Sequence, residues 1–137
     1  MVTRIVNTKG VTLVEVMGSV LVFMIGISAL MGVYLQSITA SKRAENAYTA
    51  YNLAKNRLES LKYLSFGDLV SATETSTVIN KDGVPDISGA YSRSTAVTIN
   101  YTGDSSLTQV TVSISYAISG VQSSVPIQMT TVFFNGG

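Results

Sequence analysis

A long run without charge near the N-terminus is the feature that most limits what this chain can fold into. Between Glu15 and Lys42 lie 26 consecutive residues that include no Asp, Glu, Lys or Arg. As a helix rising about 1.5 Å per residue, the run would span roughly 39 Å, more than the roughly 30 Å hydrocarbon core of a bilayer. It also lacks the polar face that the surface helix of a soluble protein shows at helical spacing. The run therefore predicts a membrane helix, or a helix with the same need for apolar surroundings.

Composition argues against several functions for the 137-residue chain. Cys and His are both absent, so the usual zinc and transition-metal sites and a Ser-His-Asp triad cannot be built. The eight acidic residues are scattered, and the net charge of +1 provides no basic surface for nucleic acid. We predict that the chain is not an enzyme, needs no cofactor and binds no nucleic acid specifically.

Three interpretations of the apolar run compete: a cleaved secretory signal, a plain signal anchor, and a helix whose Glu15 meets a positive partner after cleavage near its beginning. A cleaved secretory signal has a shorter apolar core and a small-residue cleavage site, and the nearest candidate site, at residues 38–40, fits poorly. A plain signal anchor fits the length and composition but leaves Glu15 unexplained. That carboxylate lies just inside the run, where it costs free energy unless it reaches the headgroups or meets a positive partner.

Cleavage of the chain after Gly10 would supply such a partner. It would create a free amino group on Val11, one helical turn from Glu15, and this group is mostly cationic near neutral pH. In a bundle of such helices, the amine of one subunit could neutralise Glu15 of its neighbour, where an unpaired buried charge is costly. The residues alone do not decide between two states of Glu15, a carboxylate that reaches the headgroups and a carboxylate that pairs with a neighbour's amine.

The segment that carries these features resembles the type IV prepilin signature, and it reads KGVTLVEV from Lys9 to Val16. In that family a short basic leader ends in Gly, and an inner-membrane peptidase cuts after it and methylates the new amino terminus. The resemblance implies that Gly10 is the cleavage residue and Val11 the methylated terminus, a position that is usually Phe. It also implies that Thr12 and Glu15 belong to the assembly site.

Residues 41–66 predict an amphipathic continuation of the same helix. Its apolar stripe repeats at three- and four-residue spacing and consists of Ala44, Ala47, Tyr51, Ala54, Leu58 and Leu61. Neither Gly nor Pro occurs between Val33 and Phe66, so we predict one rod that ends at Phe66 with Gly67 as its cap. Tyr48 and Tyr51 are expected to pack on the rest of the chain. The Ala-rich end resembles PilV-type minor pilins and the I-type pseudopilins of type II secretion.

Residues 67–137 predict a polar loop followed by an antiparallel sheet. Apolar and polar residues alternate along 91–101, 110–118 and 125–133, and turn residues at 102–106 and 119–120 separate these strands. Pro126 marks an edge or the beginning of a strand. In the loop, Asn80, Asp82 and Asp86 carry oxygen ligands suited to Ca²⁺, but their spacing is not that of an EF-hand. We interpret them as turn residues and predict no metal site.

The sequence thus predicts an α+β fold, with a long N-terminal helix packed on a small antiparallel sheet of three to four strands. The expected regions are a cleaved leader (1–10), a transmembrane or filament-core half-helix (11–40), an amphipathic half-helix (41–66) and a globular sheet region (67–137).

The resemblance implies a structural subunit of a type IV pilus-like filament. The subunit would lie in the bacterial inner membrane before assembly and in a periplasmic or extracellular filament afterwards. Its partners would be other pilin subunits, the prepilin peptidase, an inner-membrane assembly platform and, before assembly, membrane lipid. Two alternatives stay open: a type II secretion pseudopilin, and a single-pass membrane-anchored envelope binding protein.

Overall fold

The chain forms one long helix followed by a β-sheet, in a computed structural model that describes residues 10–118, 121–122 and 125–136. The predicted α+β class is confirmed, because the helix packs on a four-stranded antiparallel sheet. The chain divides into two compact units, Met1–Ala40 (unit 1) and Ser41–Gly137 (unit 2). Residues 1–9, most of the predicted leader, lie outside the described residues.

Helix α1 runs without a break from Leu13 to Leu61, and its first part lies in unit 1. Every residue from 10 to 40 is exposed, including the glycines at 18, 26 and 32. By length and composition α1 is able to cross a membrane. Its polar side chains suit that environment, because three hydroxyls donate to the carbonyl oxygen four residues earlier and need no water. These hydroxyls belong to Ser19, Ser28 and Thr39.

The predicted end of the helix at Phe66 is wrong, because α1 ends at Leu61. Leu61 is the last side chain of the helix that the core buries, and the next residues are exposed. Beyond Leu61 no packing holds the α-helical geometry, so the backbone changes to 3-10 geometry. The backbone N–H groups of Lys62 and Tyr63 donate to the carbonyl oxygens three residues earlier. A 3-10 helix, Phe66–Ala72, then follows. Gly67 lies inside it and does not cap α1.

The sheet contains four main strands and one short strand, all antiparallel to their neighbours. They are β1 (Glu74–Ile79), β2 (Tyr91–Ile99), β3 (Leu107–Ile118), β4 (Val121–Gln122) and β5 (Ile127–Phe134). The order across the sheet is β1-β2-β3-β5, and β4 pairs with the end of β3. Pro126 directly precedes β5, as predicted. The turn at 102–106 joins β2 to β3, whereas the predicted turn at 119–120 lies outside the described residues.

Strand β1 falls where the sequence predicts only a polar loop. Its register with β2 shifts between Glu74 and Thr77, and Ser76 has a positive φ of 52°. This irregularity breaks the alternation by which strands are recognised in a sequence.

The core lies between one face of the sheet and the part of α1 that belongs to unit 2. The alternating burial of β3, of β5 and of the first part of β2 confirms the predicted inward faces there. Ile99 at the end of β2 and Val125 before β5 were predicted to face inward as well, but they are 56% and 71% exposed. The stripe of α1 differs from the prediction in detail, because Ala50 and Leu53 are buried while Tyr51 is 47% exposed. Tyr48 is 69% exposed, so the expected packing of these two tyrosines on the sheet is wrong. The buried side chains of the helix are Ala50, Leu53, Ala54, Leu58 and Leu61.

Candidate processing and assembly site

Gly10 and Val11 lie immediately before α1, in exposed backbone that belongs to no helix or strand. A Cβ atom added to Gly10 would meet no atom within 4 Å, and Gly10 does not have the positive φ that favours glycine. Neither space nor backbone conformation therefore requires glycine at this position. If glycine matters here, it matters to something that binds the segment.

Thr12 caps the N-terminus of α1. Its Oγ1 accepts a hydrogen bond from the backbone N–H of Glu15 at 3.3 Å, and its carbonyl oxygen accepts from Glu15 and Val16 at 3.1 and 3.2 Å. These bonds satisfy N–H groups that the first turn of a helix leaves without partners. The spacing Thr-x-x-Glu is that of a capping box, so the capping role of Thr12 could have been predicted from the sequence.

Glu15 occupies the first turn of α1, where the helix dipole favours a negative charge. Its side chain is exposed, and it forms no ion pair with any residue in the described part of the chain. At this position the carboxylate stabilises the N-terminus of α1, and its exposure leaves it accessible to a cation from outside the chain. The structure places Gly10, Val11, Thr12 and Glu15 in one exposed segment at the beginning of α1.

A second polar feature lies in unit 2, where two arginines share one glutamate. Arg93 donates from Nε and Nη2 to the two carboxylate oxygens of Glu74, at 2.7 and 3.0 Å. Arg57 on α1 approaches the same carboxylate at 2.9 Å from its Nη2. Thr95 also donates to it, and Arg93 Nη1 donates to the carbonyl oxygen of Gly83. The cluster therefore joins α1, β1, β2 and the loop before β2.

This charge cluster carries more positive than negative charge. Desolvation by burial lowers the pKa of Arg57, the charge of Glu74 opposes that effect, and the neighbouring Arg93 adds to it. The Nε of Arg57 is buried without a hydrogen-bond partner among the described residues. Arg93 lies on the inward face of β2, so a charged residue at a core position of a strand was the signal that could have singled out this one member of the cluster from the sequence.

The loop between β1 and β2 uses its polar side chains to form turns. Asn80 Oδ1 accepts from the backbone N–H groups of Asp82 and Val84, at 2.9 and 3.1 Å. Asp86 Oδ1 accepts from the N–H of Ser88 at 2.9 Å. These bonds are the Asx turns that the sequence interpretation favours over calcium. In the described ranges, no three His, Cys, Asp or Glu side chains lie close enough together to hold a metal ion.

A shallow groove of about 440 Å³ runs between α1 and this loop. Its walls present both polar and apolar surface, and the lining residues are Tyr48, Thr49, Asn52, Leu53, Asn56, Lys81 and Asp82. The groove therefore offers hydrogen-bonding groups from both α1 and the loop.

The fold and these sites define an α+β protein whose first helix is long and apolar enough to cross a membrane. No protein-family model matches the chain, and neither a curated protein nor a solved structure matches it.

Proposed function

We propose that the chain is a structural subunit of a type IV pilus-like filament, inserted in the inner membrane as a precursor. Its leader is cleaved after Gly10, the amine of Val11 is methylated, and the subunit then assembles through the first part of α1. One observation supports the proposal most: α1 is uninterrupted, every one of its residues from 13 to 40 is exposed, and it begins with a capped turn that carries Glu15.

The exposed surface of this helix needs an apolar environment. Large apolar side chains between Val11 and Ile38 are solvent-exposed in the single chain, a state that water disfavours in proportion to the exposed area. A bilayer covers that surface before assembly, and a bundle of neighbouring helices covers it afterwards. The two environments are chemically similar, which suits a subunit that passes from one to the other.

Glu15 gives the bundle a means to set the position of each new subunit. In apolar surroundings, the carboxylate is stable only beside a cation, and the free amine of a neighbour's Val11 is the cation that cleavage creates. A subunit inserted at another height would leave both charges unpaired. The pair would therefore select one axial position, whatever its net contribution to stability.

The experiment that tests processing is intact-mass analysis of the protein from cells that contain a prepilin peptidase. The expected mass is that of a chain beginning at Val11 with one added methyl group. The matched control is Gly10→Val, which has space in the fold and should insert normally but retain the leader. Wild-type protein that keeps Met1 in such cells would overturn the proposal.

A membrane-anchored envelope binding protein is the second candidate, and the groove beside Tyr48 and Asn52 favours it. A tyrosine with amide and charged groups around it can bind a small polar ligand. Such a protein would stay in the membrane as single copies and would need no cleavage, so the same mass measurement separates the two functions.

A further inference from the structure

The two edges of the sheet are built differently. Strand β1 at one edge is short and bulged, with a register shift and a positive φ at Ser76. The chain also folds back along it, because the backbone N–H of Asp86 donates to the carbonyl oxygen of Val78, and Ile79 forms a β-bridge with Pro85. Bulges and covering segments of this kind keep an edge strand from pairing with other chains.

Strand β5 at the other edge has none of these protections. It pairs with β3 over eight consecutive positions, from Leu107↔Phe134 to Ile114↔Ile127, without a register shift. Among the described strands, only β3 pairs with it. The strand itself contains no Pro, Gly or charged residue. A long, regular and uncharged edge is the kind that accepts a further strand.

The register of the β3–β5 hydrogen bonds shows which backbone N–H and C=O groups of β5 do not bond to β3. Asn135 donates to the carbonyl oxygen of Ser106 at 2.9 Å, just beyond the last pair of the β3–β5 ladder. Because bonded and non-bonded pairs alternate in an antiparallel ladder, the odd-numbered residues of β5 bond to β3. The N–H and C=O groups of Gln128, Thr130, Val132 and Phe134 therefore point away from the sheet.

The chemistry around this edge limits what can pair with it. Residues 105–137 contain no charged side chain, so a charged partner strand would lose hydration without gaining a counter-charge. Val132 and Phe134 are 44% and 69% exposed and offer apolar surface next to the open backbone groups. The complementary partner is an extended and uncharged segment with apolar side chains opposite these two residues.

A second copy of the chain fits poorly. Two β5 strands paired antiparallel are related by a two-fold axis normal to the sheet. The part of α1 that lies on the sheet face would then run in the opposite direction in the second copy. A filament that repeats one heterologous operation gives every copy of unit 2 the same direction, so this two-fold arrangement does not fit the proposed filament. The other edge of a second copy, β1, is the protected one.

We propose that the open edge of β5 pairs with an extended, uncharged strand of a different polypeptide. The proposed function, on which this identification of the partner rests, makes that polypeptide a different subunit of the same filament. The pairing continues the sheet from one subunit into the next, and it makes this chain a subunit that joins unlike neighbours.

The test places a photo-crosslinking amino acid at Gln128 of the full-length chain in its host membrane and in sheared filaments. Thr130→Pro removes an outward N–H that β3 does not use, so the edge is blocked while the fold is kept. Thr130→Val is the matched control, because it loses the same hydroxyl, including its bond to Thr111, but keeps the N–H. Val132→Lys is a second blocking variant that places a charge on the edge. Circular dichroism of each purified full-length variant checks its fold.

The expected result is a crosslink to one different subunit, with equal yield in wild type and Thr130→Val. The yield should fall about tenfold or more in both blocking variants, because Thr130→Pro removes an outward backbone donor and Val132→Lys places a charge on an edge that offers no counter-charge. A crosslink to a second copy of the chain, no crosslink at all, or an unchanged yield in both folded blocking variants would overturn the pairing. A chain that gives the crosslink in membranes but never enters filaments would overturn the proposed function and leave the pairing standing.

Discussion

The two units of the chain place their apolar side chains in opposite ways. In unit 2, the helix residues from Ala50 to Leu61 and the inward faces of three strands form one core. In unit 1, the apolar side chains are as large, yet every residue from 10 to 40 is exposed. Unit 2 therefore buries its apolar side chains within its own fold, whereas unit 1 leaves them exposed in the single chain.

The same leucine side chain should therefore have very different effects in the two units. Leu61→Ala removes a side chain that is 1% exposed, and we expect it to destabilise unit 2 by about 2–5 kcal/mol. Leu21→Ala, at a position 60% exposed, should leave unit 2 unchanged. Urea unfolding of the full-length protein in detergent, followed by the circular dichroism of the sheet, measures both. Equal effects of the two substitutions would mean that unit 1 contributes to the folding of unit 2.

The charge cluster predicts the next largest effect. Glu74→Ala leaves Arg57 and Arg93 facing each other without a carboxylate, so we expect a loss of about 2–3 kcal/mol for this partly exposed cluster. Glu74→Gln keeps the shape of the side chain and one acceptor oxygen. It should lose less stability than the Ala variant only if hydrogen bonding, more than charge, holds the two arginines. The same unfolding measurement applies. A loss below about 0.5 kcal/mol for the Ala variant would mean that the cluster stabilises the protein no more than an ordinary surface ion pair does.

The capping threonine predicts a smaller and more local effect. Thr12→Ala removes the acceptor for the N–H of Glu15 and should fray the first turn of α1 at a cost of about 1 kcal/mol. Thr12→Ser keeps the acceptor and serves as the control. Amide hydrogen exchange of Glu15 and Val16 in detergent reports the fraying. Unchanged exchange in the Ala variant would show that the cap does not hold this turn, and unit 2 should be unaffected in either case.

The regular parts of this fold could be predicted from periodicity alone. The apolar run, the inward faces of β2, β3 and β5, and the turn before β3 each repeat or interrupt a pattern over several residues. The errors fall where tertiary packing decides. Helix α1 ends at Leu61 because the core ends there, and β1 is irregular because of the bulge at Ser76.

The two candidate sites also differ in how far the sequence alone reveals them. Gly10, Val11, Thr12 and Glu15 are neighbours in the chain, so their spacing was visible before any fold was known. Glu74 meets Arg93 across 19 positions of sequence, and only the pairing of β1 with β2 brings them together. Because β1 itself was not predicted, the charge cluster could not be assembled from sequence.

The measurement that tests the account most directly is the incorporation of Glu15 variants into filaments. Quantitative immunoblotting of the membrane and sheared-filament fractions should compare wild type, Glu15→Ala and Glu15→Gln. Membrane insertion and leader cleavage should persist in both variants, since each removes a charge from the apolar run. We expect both variants to fall sharply in the filament fraction, because neither can neutralise a neighbour's amine. Wild-type abundance of Glu15→Ala in filaments would contradict a role for Glu15 in assembly and would leave it with only its local role at the helix N-terminus.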